Sequence, residues 1–184
     1  GSADAAATLR ALTKLWGVSP APKDLSNLSL SLGADVPMCL EEKPARIRGI
    51  GEVIEPVKDF PTGAMVLVNP MIEISTPTIF NALEKKDNSP LPEMPAEFES
   101  MKELANWLKT CRNDLQKPAI SLTSEISEVL DLLASQPETL IARMSGPGAG
   151  PTGFALCETL DAAQKIASHL QEIRSNWWIK AARV

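Results

Sequence analysis

Three short stretches of this sequence hold the residue types that chemistry uses. In "LGADVP", residues 32–37, Asp35 sits between a small-residue turn and Pro37, a proline expected to prevent helix continuation. A carboxylate held in such a bend can accept a hydroxyl proton or orient a nucleophile. It can equally close an Asx turn at a helix end. Gly1-Ser2-Ala3-Asp4 stands at the start of an Ala-rich run. Backbone amides without an intrahelical partner point outward at a helix start, and the helix dipole favours an anion there. Small side chains let a phosphate approach, yet Ser2 and Asp4 also suit a plain capped helix start. The third stretch, "RMSGPGAGPTGF", residues 143–154, gathers Gly146, Gly148 and Gly150 between two apolar runs. Glycines there permit positive φ and an anion-binding nest; a hairpin loop needs them too. The Lys-Ser/Thr ending of a Walker motif is absent, and no helix follows directly as a dinucleotide fingerprint requires.

The elements that must position these residues are legible in the periodicity. "AAATLRALTKLW", residues 5–16, spaces Leu9, Leu12, Leu15 and Trp16 as an amphipathic helix closed by Gly17. "PKDLSNLSLSL" reads as a short helix stopping at Gly33, and residues 45–57 as a strand pair or bulged strand broken by glycines. Turn chemistry from Asp59 to Gly63 suggests a boundary, dividing the chain into residues 1–60 and 61–184. Beyond it, "AMVLVNP" is a buried-strand run and "TPTIFNAL" a helix with Pro77 in its first turn. Residues 87–97, with three prolines, form an irregular loop. "SMKELANWLKT" and "TSEISEVLDLLAS" are amphipathic helices, the second capped by Thr123 or Ser124. "TLIARMSG" and "GFALCET" are strands, "LDAAQKIASHLQEIRS" a helix and "WWIKAARV" a terminal strand with one tryptophan packed inward. The expected class is α+β, with helices on one face of an antiparallel sheet.

Composition narrows the function. The chain of 184 residues is 44% hydrophobic and 22% charged, which suffices for a buried core. A formal charge of −5, with basic residues scattered, argues against a nucleic-acid partner. The sequence has no apolar run near the ~18 residues of a membrane span and no signal-peptide pattern, so a non-secreted protein without a membrane partner is expected. Cys39, Cys111 and Cys157 are far apart and odd in number, which suits reduced packing residues better than disulfides or zinc. His169, the single histidine, falls in an amphipathic helix and Glu41-Glu42-Lys43 in a solvated turn; neither invites a catalytic role.

Taken together and in order, these stretches resemble the GHMP family of small-molecule kinases. "GSADAAATLRALTKLW" resembles the tail of the family's glycine-rich second motif, "LGADVPMCL" its aspartate segment, and "ARIRGIGEVIEPV" the strand region after it. "ISTPTIFNAL", "RNDLQKPA" and "RMSGPGAGPTGFAL" are similar to successive segments of its C-terminal half. The resemblance implies a fold made of the rear part of a domain like ribosomal protein S5 domain 2 (residues 1–60), then a ferredoxin-like C-terminal domain (residues 61–184). It implies ATP and Mg²⁺ as cofactors, and phosphorylation of the 2-hydroxyl of 4-diphosphocytidyl-2-C-methyl-D-erythritol in a bacterial cytoplasm. Asp35 becomes the catalytic aspartate. Gly1, Ser2 and Ala3 fall on the ATP-phosphate loop, Ser2 beside Mg²⁺, with Gly146 and Gly148 backing the phosphates. Thr76 and Phe80 fall at the substrate pocket, where the ring can stack on cytosine. Three departures stand out: Gly150-Pro151 reads as an insertion, Pro147 replaces a small polar residue, and Ala3 stands where a second serine is common. On this reading Gly1 lies mid-protein, a preceding segment of the same polypeptide completes the cleft, and the piece alone has little activity. Another GHMP kinase, or a non-catalytic ferredoxin-like binding module, is the alternative.

Overall fold

The computed structural model describes residues 1–145 and 151–184, and the chain divides into two units, Gly1–Phe60 and Pro61–Val184. In the first unit, α1 (Ser2–Trp16) ends where Gly17 adopts a left-handed conformation, φ 61°, and its amide returns to Lys14. Helix α2 (Pro22–Leu32) stops at Gly33. A short α3 (Val36–Glu41) follows, then β1 (Ala45–Arg48) and β2 (Val53–Pro56), paired antiparallel with Arg46 opposite Glu55. The sequence expectation for Pro37 is corrected here. Rather than ending a helix it opens one, because a first-turn proline lacks only an N–H that would have had no acceptor. α1 packs on α3, with Ala6 and Val36 buried, and Arg10 fastens the pair. Its guanidinium donates to the Cys39 carbonyl at 3.0 Å and pairs with Glu42 at 2.7 Å.

The second unit is built on β3 (Ala64–Asn69), β4 (Ile141–Met144), β5 (Gly153–Cys157) and β6 (Trp178–Arg183), ordered β4-β5-β3-β6 with every neighbour antiparallel. This is the ferredoxin-like arrangement, in which the first strand of the unit lies between the third and the last. Between β3 and β4 run α4 (Thr76–Asn81), α5 (Met101–Thr110), α6 (Gln116–Leu122) and α7 (Glu125–Ala134); α8 (Leu160–Ile173) joins β5 to β6. Alternation decides the core. Ala64, Val66 and Val68 share one face with Ala155 and Cys157, and that face receives Val129 and Leu133 of α7 and Ala163, Ile166 and Leu170 of α8. Trp177 joins this core, while Trp178 is exposed.

Three local expectations change. α5 lies on the other face, where Arg143, whose neighbours in the strand point toward α7, donates to the Leu108 carbonyl at 2.8 Å. Helix α6 was hidden in the sequence by Pro118, which falls in its first turn. At α7 neither Thr123 nor Ser124 caps the backbone; both hydroxyls turn to the Glu125 carboxylate, whose pKa is lowered chiefly by the Thr123 bond. Among the described residues no helix is long and apolar enough to cross a membrane.

Candidate active site

Asp35 stands at the N-cap of α3 with φ −89° and ψ −8°. Its neighbours Val36 and Pro37 are buried, so the backbone is anchored while the carboxylate is exposed. The side chain makes no cap hydrogen bond. The Asx-turn alternative therefore does not hold, since the carboxylate makes no hydrogen bond to its own helix start. The turn is held from outside as well. In the β1–β2 connection, Gly51 is buried with φ +123°, and a Cβ built there would stand 2.2 Å from the Ala34 carbonyl oxygen. Only a glycine lets the hairpin lean on the peptide just before Asp35. Glu52 shapes the same connection, its carboxylate accepting from the Ile50 amide at 2.6 Å. Sequence reasoning missed Gly51; the Gly49-Ile50-Gly51 spacing, beyond what a simple hairpin requires, was the available signal.

Gly1 is the N-cap of α1, and Ser2 and Ala3 form its first turn. Asp4 bears out the capped start that the sequence suggested: at N3 its carboxylate accepts from the Gly1 nitrogen at 3.1 Å, the return bond of a capping box, whereas Ser2 lies inside the first turn rather than at the N-cap. Ser2 is half-buried. Thr76 and Phe80 belong to the second unit, on α4. Ser75 caps that helix, its Oγ accepting from the Thr78 amide at 3.3 Å, which sets Thr76 in the first turn, half-buried. Ile79 is fully buried beside Ile126 and Met144, while Phe80, the next residue, turns its ring outward at 47% exposure. A helix anchored on Ile79 thus leaves the adjacent aromatic ring half open to solvent.

Gly146 and Gly148 lie outside the described residues. Their flanks are described: the Ser145 amide and hydroxyl both donate to the Thr152 carbonyl, at 2.8 and 3.0 Å. A cavity of about 630 Å³ elsewhere in this unit, lined by Trp107, Arg112, Arg143 and Phe154, contains none of the expected site residues. Its two arginines are already engaged, Arg143 with the end of α5 and Arg112 with Asp114 at 3.1 Å.

A model of the GHMP kinase C-terminal domain matches residues 93–175. Residues 93–175 are a GHMP kinase C-terminal domain. The chain is 45% identical to the 4-diphosphocytidyl-2-C-methyl-D-erythritol kinase of Cereibacter sphaeroides, over all of this chain and 65% of that protein. It is 46% identical to the protein of that name from Rhizobium etli, over 98% of this chain and 60% of that one. The chain thus spans somewhat under two thirds of the length of the curated relatives it matches. A crystal structure of 4-(cytidine 5'-diphospho)-2C-methyl-D-erythritol kinase superposes with a TM-score of 0.75 at 31% identity, covering 98% of this chain and 63% of its own. Homoserine kinase from Cytophaga hutchinsonii shares the fold at 19% identity, with a TM-score of 0.69 over 99% of this chain and 63% of its own. A GHMP C-terminal domain following an α1–α3 segment accounts for the order of motifs along the chain.

Proposed function

We propose that the full-length protein transfers the γ-phosphoryl group of ATP to the 2-hydroxyl of 4-diphosphocytidyl-2-C-methyl-D-erythritol. The relatives bearing that substrate's name, matched from end to end of this chain, support the choice within the GHMP kinases. The observation that carries the chemistry is the Asp35 carboxylate, exposed on an anchored backbone and unused by its own helix. In this reading the substrate's 2-oxygen bonds to the γ-phosphorus as the bridge to ADP breaks. The hydroxyl proton passes toward Asp35, or Asp35 guides the attacking oxygen by its charge; little else is asked of the protein than positioning and electrostatics. The first turn of α1, Gly1 to Ala3, receives phosphate oxygens on backbone amides, and Gly146 and Gly148 back the same group. Thr76 and Phe80 hold the cytidyl end, the ring stacking on the base. A further stretch of polypeptide supplies the other wall of the cleft.

Magnesium fits this donor set in one way only. No cluster of three acidic, histidine or cysteine groups occurs among the described residues, which suits a metal held mainly by nucleotide phosphates and water. Ser2 is the residue that would add a ligand, and the ion would neutralise charge on the transferring phosphoryl group.

The test is ATP consumption by the full-length protein with the diphosphocytidyl alcohol, homoserine and mevalonate in parallel. Turnover confined to the first is expected. Asp35→Asn lowers kcat by about 10²–10⁴-fold with unfolding unchanged; a variant as active as the parent removes Asp35 from the chemistry. A binding module would hold a cytidine nucleotide in calorimetry and consume no ATP with any of the three.

A further inference from the structure

Asn69 is the last residue of β3, where the chain leaves the sheet toward Ser75, Thr76 and Phe80. Its backbone pairs with Trp178 of β6, so the side chain is not needed for the ladder. Both of its polar atoms are used elsewhere. Oδ1 accepts from the Met71 amide at 2.7 Å, and Nδ2 donates to Oγ1 of Thr152 at 3.0 Å. The Thr152 carbonyl in turn accepts from the amide and hydroxyl of Ser145. One carboxamide therefore ties the exit of β3 to Thr152, the residue after the glycine-rich connection, and through the Thr152 backbone to Ser145 before it.

The turn it closes is one the chain would not adopt unaided. Met71 has φ +62°, the left-handed region disfavoured for a residue with a side chain, and at 67% exposure no packing of its own explains the conformation. The Asn69 acceptor does, by fixing the amide two residues on. Past this turn, Ile74 packs against the cluster of Ile79, Ala119, Ile126 and Met144, and Met144 directly precedes Ser145. The segment leading to α4 is thus pinned at two points, by Asn69 at its start and by Ile74 before the cap.

We infer that Asn69 is a positioning residue, holding the segment that carries Thr76 and Phe80 in register with the base of the glycine-rich connection. Its consequence for catalysis rests on the functional reading above; the hold itself rests on the geometry alone. Asn69→Leu removes both bonds at similar volume. Asn69→Asp retains the acceptor for Met71 and can accept from the Thr152 hydroxyl. Met71→Gly takes the left-handed backbone freely.

Kinetics and hydrogen–deuterium exchange on the full-length protein test this. With ATP saturating, Asn69→Leu should raise KM for the diphosphocytidyl alcohol about 10-fold or more, and Asn69→Asp less than about threefold. Adding Met71→Gly to Asn69→Leu should restore much of the loss. Exchange across residues 70–81 should quicken in Asn69→Leu and stay near the parent's in Asn69→Asp. Unchanged exchange, equal losses in the Leu and Asp variants, or a defect confined to the yield of folded protein would overturn the inference. A parent protein inert toward this alcohol defeats the functional reading instead, and the exchange result then decides the hold by itself.

Discussion

The two units bury their apolar residues very differently. Residues 61–184 enclose Val66, Val68, Leu133, Ile166 and Leu170 almost completely between a four-stranded sheet and two helices. Residues 1–60 bury little beyond Ala6, Ser29, Val36, Pro37 and Gly51, and leave Leu15, Trp16, Val18, Leu28 and Leu32 exposed. The candidate catalytic carboxylate nevertheless lies in the thinly packed unit. What fixes Asp35 is therefore a few specific contacts rather than bulk burial: the Val36-Pro37 anchor, the Arg10 clamp on α3, and a hairpin glycine against Ala34. The most completely buried core and the candidate carboxylate thus lie in different parts of the chain.

Substitutions can break that division or sharpen it. The largest stability loss should come from Leu170→Ala, which opens a cavity in the sheet–helix core and costs about 2–5 kcal/mol by denaturant unfolding. The residual folded fraction should keep its kcat; a lowered kcat would show that the core and the carboxylate are coupled. Gly51→Ala should cost less, about 1–3 kcal/mol, because the methyl meets Ala34 and φ +123° is unfavourable with a side chain. Unlike Leu170→Ala, it should also lower kcat, and an unaffected kcat would detach the hairpin from the positioning of Asp35.

A smaller effect comes from Cys157. Burial in the core, with the charge of Glu138 adding to it, pushes this thiol up from 9.0 to about 11. The neutral form is thus favoured by folding, so the contribution is complete below pH 9 and is lost as pH rises toward 11. Alkylation at pH 8 should modify the partly exposed Cys39 and Cys111 and spare Cys157 until denaturant is added; prompt labelling of all three would contradict the core assignment. The smallest effect belongs to the exposed Asp161–Lys165 pair at 2.8 Å, where Lys165→Ala should leave the midpoint of denaturant unfolding essentially unmoved.

Local signals read well in this sequence because each was redundant. Gly17 and Gly33 stop helices whose periodicity already ended there, and the alternation of Ala64 to Asn69 admitted a single buried face. Pro37 and Pro118 misled, because a proline marks a break and a helix start with the same residue, and only the chain that follows decides which. The capping hydroxyls at α7 misled similarly: Thr123 had a carboxylate two residues away that accepts its hydrogen bond. Asp35 was recognisable as a residue type in a bend, but not as a carboxylate without a local partner.

By itself the sequence determined most of the helices and strands, though not α3 or α6, the apolar faces of the elements it did reveal, and the order of the glycine-rich and acidic segments, since these depend on neighbours a few residues apart. Only the tertiary structure decided that Gly51 rests on Ala34, and that Asn69 reaches across 83 residues to Thr152. Contacts of that kind leave no periodic trace, because they depend on where distant backbones are brought together by strand pairing and helix packing.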